Sequence, residues 1–79
     1  MERLVFDYSK LKGRITEKLG SQKAFATRLC VAEPTLTSKL SCRTYFSQAE
    51  ILKSCKILEI PEEEIFAYFF TQRVQKVEQ

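Results

Sequence analysis

The stretch Gln22-Lys23-Ala24-Phe25-Ala26-Thr27-Arg28-Leu29-Cys30-Val31-Ala32-Glu33-Pro34-Thr35-Leu36-Thr37-Ser38-Lys39-Leu40 decides how the chain is read. Phe25 and Leu29 stand four positions apart, as do Leu36 and Leu40, so each pair shares one face of a helix. Ala26 is small enough to let one helix cross close to the other. Between the two pairs, Cys30-Val31-Ala32 has room only for a sharp turn, with Val31 available to fill the space beneath it. Two short helices joined in this way form a helix-turn-helix, whose second helix commonly enters the major groove of DNA.

The chain around it suits one small globular domain. Its 79 residues, 44% of them hydrophobic, provide a single core, and one domain is expected over residues 1–79. No apolar run approaches the roughly 20 residues of a transmembrane helix. The start, Met1-Glu2-Arg3-Leu4-Val5-Phe6-Asp7, lacks the basic and then apolar pattern of a secretion signal, so a cytoplasmic protein with no membrane partner is expected. Cys30, Cys42 and Cys55 are odd in number, and the chain has no histidine and no C-x-x-C pair. That excludes a good zinc site; three free thiols, buried for structural reasons, are expected, with no metal and no cofactor.

Charge is unevenly spread although the net value is only +3. Residues 10–43 hold eight basic side chains (Lys10, Lys12, Arg14, Lys18, Lys23, Arg28, Lys39, Arg43) against Glu17 and Glu33, whereas residues 44–79 hold four basic against six acidic. The positive charge therefore coincides with the helix-turn-helix pattern, as a phosphate-binding face requires.

The flanks supply further helices. Leu4-Val5-Phe6 predicts a brief strand or extended arm over residues 1–7, with Asp7 or Ser9 capping the helix that follows. Tyr8, Leu11, Ile15 and Leu19 share one face of a helix over residues 8–19, which Gly20 ends in a left-handed conformation. Ser21 caps the second helix, Gln22–Leu29. The third occupies Glu33–Leu40, or starts at Pro34 with Glu33 as its cap, because proline disfavours helical geometry in the residue before it. After a polar exit loop over residues 41–44, Ser47 and Glu50 form a capping box for a fourth helix, Gln48–Leu58, that buries Ile51, Leu52, Cys55 and Leu58. Pro61 starts a fifth, with Glu62, Glu63 and Glu64 at its positive end and Ile65, Phe66, Phe69 and Phe70 presented to the core. In residues 72–79, Val74 and Val77 leave three outcomes open: a helical turn, a short strand beside residues 4–6, or a flexible tail.

Five short helices with the motif in the second and third resemble the lambda-repressor-like DNA-binding domains, which include phage repressors and Cro proteins. The resemblance is closer to small Cro-like phage regulators of Gram-positive hosts. It is carried by the opening Phe6-Asp7-Tyr8-Ser9-Lys10-Leu11-Lys12-Gly13-Arg14-Ile15, by Ile60-Pro61-Glu62-Glu63-Glu64-Ile65, and by the ending Phe69-Phe70-Thr71. It implies an all-α, compact five-helix fold. Gln22 matches a glutamine that contacts a DNA phosphate, and Leu36 and Leu40 match the buried side of the recognition helix. Glu33, Pro34, Thr37 and Ser38 then fall on the side facing base edges, and Lys39 and Arg43 are placed to hold phosphates. Lys23, at the positive end of the second helix, is a phosphate ligand on physical grounds alone. Hydrogen bonds to bases could come only from Glu33, Thr35, Thr37 and Ser38.

Several positions depart from that family pattern. Cys30 stands where glycine serves a positive φ, Ala32 where serine serves as a cap, and Ser41-Cys42 where Asn-Gly is usual. Pro34 brings no donor, and Glu33 repels phosphates even though it can accept from a cytosine amino group.

Two functions compete. The first is a sequence-specific DNA-binding transcriptional regulator, a Cro-like repressor that occupies operator DNA as a homodimer and blocks transcription. The surplus of aromatics in Tyr68, Phe69 and Phe70 motivates the dimer. The second is an antirepressor or repressor partner that uses the same fold to bind a phage repressor protein, motivated by the departures at Ala32, Glu33 and Pro34. An enzyme is not expected, since no nucleophile has a base beside it and no phosphate loop is present.

Overall fold

A computed structural model describes residues 4–73 of the chain. It has five α-helices: α1 (Ser9–Leu19), α2 (Gln22–Leu29), α3 (Glu33–Leu40), α4 (Gln48–Leu58) and α5 (Ile65–Phe69). A 3₁₀ turn, Glu62–Glu64, leads into α5. The expected all-α, five-helix architecture is therefore the observed one.

One core joins all five helices. Leu11 and Ile15 of α1, Phe25 and Leu29 of α2, Leu36 of α3, Leu58 of α4 and Phe69 of α5 are buried together. Ala26, buried at 2% exposure, occupies the crossing where a larger side chain would hold helices apart. Tyr8, Phe46 and Phe69 stack edge to face at centroid separations of 5.6 and 5.5 Å, closing the core beneath the arm. Burial pushes the Tyr8 hydroxyl pKa up to about 12.

Helix ends follow local chemistry. Ser21 Oγ accepts from the Ala24 amide at 3.1 Å, and Ser47 and Glu50 form the reciprocal capping box, at 3.1 and 2.8 Å. Gly20 ends α1 at φ 87°. The other three long helices close on non-glycine residues in the left-handed region: Cys30 (φ 65°), Cys42 (φ 66°) and Glu59 (φ 57°). Each closure is a Schellman-type pair, with Val31 N donating to Ala26 O, Arg43 N to Ser38 O and Ile60 N to Cys55 O. Without glycine, each site carries a strain of about 1 kcal/mol. At the end of α4 a distant cation compensates, since Arg14 of α1 donates to the carbonyls of Leu58 (2.9 Å) and Glu59 (2.7 Å).

The arm is an extended segment held on both sides. Phe6 forms an antiparallel bridge with Gln72, Asp7 N donates to Thr71 O, and Arg73 N donates to Val5 O. Tyr45 donates its hydroxyl to Leu4 O at 2.7 Å. Of the three outcomes left open for residues 72–79, Gln72 and Arg73 take the extended pairing beside residues 4–6. Val74 and Val77 lie outside the described residues.

Other expectations need correction. Helix α1 begins at Ser9 rather than at residue 8, with Asp7 Oδ1 accepting from the Ser9 amide at 2.9 Å. Pro61 precedes a 3₁₀ turn rather than starting an α-helix directly. Leu52, expected in the core, is 56% exposed, and Phe66 is 70% exposed, whereas Tyr68 is buried. A helix as short as α5 can turn only one stripe inward, and Tyr68 and Phe69 take it. Of the thiols, Cys42 and Cys55 are buried as expected, but Cys30 is exposed: Cys42 has the same left-handed backbone, and the arm residue Phe6 lies against its sulfur.

Candidate recognition face and its surroundings

Helix α2 presents its first turn to solvent. The Ser21 cap fixes the entry of the chain, so Gln22 and Lys23 sit exposed at the positive end of the helix dipole. Lys18, Lys23 and Arg28 line an open cleft of about 530 Å³ beside it, together with Ser21 and Thr27. Lys18 also meets Glu59 at 3.1 Å, which leaves Lys23 and Arg28 as the less engaged cations of this cleft. Arg28 did not stand out in the sequence, since only the folded surface shows it beside Lys23.

Helix α3 starts without a side-chain cap. Ala32 is the N-cap residue, extended at φ −72° and ψ 151°, and Glu33 and Pro34 form the first helical positions. Glu33 is therefore inside the helix and not its cap; proline in the first turn costs no hydrogen bond, because that amide would be unpaired anyway. Glu33, Pro34, Thr35 and Thr37 are exposed, Ser38 is half-buried, and Leu36 and Leu40 face the core. The Ser38 carbonyl accepts from the amides of Arg43 (2.9 Å) and Thr44 (3.3 Å) and from Ser41 Oγ (3.1 Å). These bonds set the exit loop and leave Arg43 exposed at the end of α3.

Lys39 is the main departure from the expected phosphate-binding set. Its ammonium turns inward, 3.0 Å from Glu50 Oε1 and 3.1 Å from the carbonyl of Tyr45, over the Phe46 ring at 5.9 Å. The residue is 8% exposed, so it ties α3 to the start of α4 and does not reach outward. The remaining exposed groups on α3 are one carboxylate, a proline ring and two hydroxyls. That is a thin set for reading bases.

A second surface lies along the arm and α5. Phe66 and Phe70 pack at 5.9 Å between centroids, Phe70 meets Phe6 at 6.1 Å, and Phe6 meets Tyr45 at 6.0 Å. Leu4, Tyr45, Phe66 and Phe70 are all exposed, and a groove of about 110 Å³ runs between arm and helix. The aromatic surplus seen in the sequence was assigned to residues 68–70; of these only Phe70 reaches the surface, and Phe66, Tyr45 and Leu4 complete the strip.

Comparisons with known proteins agree with this architecture. The family described as "Protein of unknown function (DUF739)" matches residues 4–72. Among solved structures, the chain is similar to the modulator of repression (MOR) of the temperate bacteriophage TP901-1 from Lactococcus lactis. Identity is 42%, the TM-score is 0.74, and the match covers 82% of this chain and 88% of that one. No curated protein matches the chain. Among the described residues no helix is long and apolar enough to cross a membrane.

Proposed function

The chain belongs to the DUF739 family, and from that premise we propose that it is a regulator of a phage genetic switch acting through a protein partner, a repressor. Inside an infected host cell it would work as an antirepressor or repressor partner. The observation that carries this reading is Lys39, drawn into an ion pair with Glu50 where a phosphate contact was expected. With that cation engaged and Glu33 at the head of α3, the recognition helix is poorly equipped to hold operator DNA by itself. The likeness to a protein named as a modulator of repression supports the same reading. Mixing the purified chain with the repressor of its own switch should give a complex that co-elutes on size exclusion and gives heat in calorimetry. Two unshifted components would sink it.

A second reading keeps direct DNA binding, favoured by the exposed cations Lys23, Arg28 and Arg43 around α2 and the end of α3. In it Gln22, Lys23 and Arg43 hold phosphates, and Glu33, Pro34, Thr35, Thr37 and Ser38 meet base edges. A homodimer would then occupy half-sites about one helical turn apart. Titrating operator and scrambled duplexes at two salt concentrations separates the readings. Salt-insensitive or absent binding removes the second.

A further inference from the structure

We propose that the aromatic strip along the arm and α5 is a docking surface for a protein segment that carries apolar side chains with lysines or arginines at one end. This deepens the proposed function and rests on its claim that the chain works through a protein partner.

The strip is continuous. Phe66 and Phe70 are one helical turn apart, with Phe70 N bonded to Phe66 O at 2.9 Å, and Phe6 then links Phe70 to Tyr45 through edge-to-face contacts. Phe66 is 70% exposed, Leu4 56%, Tyr45 42% and Phe70 39%. Leu4, Tyr45 and Phe70 line one groove and Phe66 packs on Phe70 beside it; four large apolar side chains so close together are more than a small monomer ordinarily leaves in water, and aromatic anchors dominate protein interfaces. The strip is also held in place before any partner arrives. Tyr45 grips the Leu4 carbonyl, and Gln72 and Arg73 pin the arm from the other side. A prepared surface loses little entropy on binding.

Charge selects the occupant. Glu62, Glu63 and Glu64 make up the 3₁₀ turn that leads directly into α5, the helix that carries Phe66. All three are exposed. Among the described residues, Arg73, whose amide is bonded to Val5, is a cation at the arm end of the strip. Three exposed carboxylates in the turn before the most exposed ring disfavour a phosphate backbone or an anionic lipid surface and favour a cation-bearing partner. They also place a partner's lysines or arginines close to aromatic faces. Among the described residues, a second copy of this strip would set three carboxylates against the Arg73 guanidinium, a poorer match than a segment whose charged end is wholly cationic.

The test uses the full chain, isotope-labelled, and two helical peptides of about 18 residues with leucines along one face. One carries lysines over its last two turns; its twin carries glutamates there. The lysine peptide should perturb the amides of the arm, Tyr45 and α5, and bind about tenfold more tightly than its twin. Glu62→Lys with Glu63→Lys should reverse that ranking. Phe66→Ser, at a position too exposed to carry the fold, should weaken the lysine peptide, with an unchanged melting curve confirming that the chain is intact. Equal affinity for the two peptides, or perturbations centred on α2 and α3, would overturn the proposal. So would concentration-dependent changes at the strip without peptide, which would make a second copy the occupant. A repressor complex that survives Phe66→Ser with Glu62→Lys removes this surface and leaves the protein-partner reading intact. If instead the lysine peptide docks here and the repressor never binds, the surface stands and the repressor falls.

Discussion

The ammonium of Lys39 and the carboxylate of Glu50 lie 3.0 Å apart and join the helix that would face DNA to the cap of the next one. Glu50 Oε1 also accepts from the Ser47 amide at 2.8 Å, so one carboxylate serves the capping box and the ion pair together. Through it, the orientation of α3 is coupled to the start of α4. The same contact removes a cation from the surface, which makes Lys39 a structural residue and separates it from Arg43.

That separation can be measured. Lys39→Met leaves Glu50 with its cap but without its ion partner, and is expected to cost about 2 kcal/mol in urea unfolding. Any salt dependence of duplex binding should be unchanged by it. Arg43→Ala should do the reverse: no measurable change in stability, and a salt slope lowered by about 1 if the duplex is bound through this face. Equal effects of the two substitutions on the slope would show that Lys39 reaches phosphate after all.

Two cysteines share a backbone conformation and should respond oppositely to glycine. Cys30 (φ 65°) is exposed, so Cys30→Gly relieves strain and should raise stability by about 0.5–1 kcal/mol. Cys42 (φ 66°) is buried, with its sulfur 3.3 Å from the Phe6 amide that donates to it. Cys42→Gly should therefore lower stability by about 1–2 kcal/mol despite the same gain in backbone freedom. Paired urea titrations decide the matter.

The uncapped start of α3 and the glycine within α1 offer stabilisation without contact changes. Ala32 already has the extended geometry of an N-cap but supplies no acceptor, so Ala32→Ser should add about 1 kcal/mol. A Cβ at Gly13 would meet nothing within 4 Å. Gly13→Ala should accordingly add about 0.5–1 kcal/mol. Thermal melts of the single variants test both.

Stability should fall on acidification. The Ser47 amide holds the Glu50 carboxyl below the usual glutamate range, with Lys39 acting in the same direction. Asp7 is lowered likewise by its bonds to Ser9. A carboxyl whose folded pKa is depressed contributes stability above its unfolded value and loses it as pH falls through the folded one. The urea midpoint should therefore hold above pH 4.5, the ordinary glutamate value, and decline below it. Glu50→Gln should lower the plateau and flatten part of that decline; a parallel profile would show that Glu50 is not responsible.

What the amino-acid order determined by itself is the local grammar. Apolar spacing placed α2 and α4 over their observed spans, Ser21 and the Ser47–Glu50 pair marked real caps, and the glycine-like demand at Cys30 is met by a positive φ. These features depend on residues within a turn of one another, so a short window contains their cause. The direction of Lys39, the exposure of Phe66 and Leu52 and the outward position of Cys30 belong to the tertiary structure. A lysine stem is long enough to point either way, and here the exit loop carries Glu50 and the Tyr45 carbonyl back to meet it. For Phe66 the reason is economy of space. Helix α5 has one inner stripe, Tyr68 and Phe69 fill it, and the ring left outside rests against Phe70, one turn on.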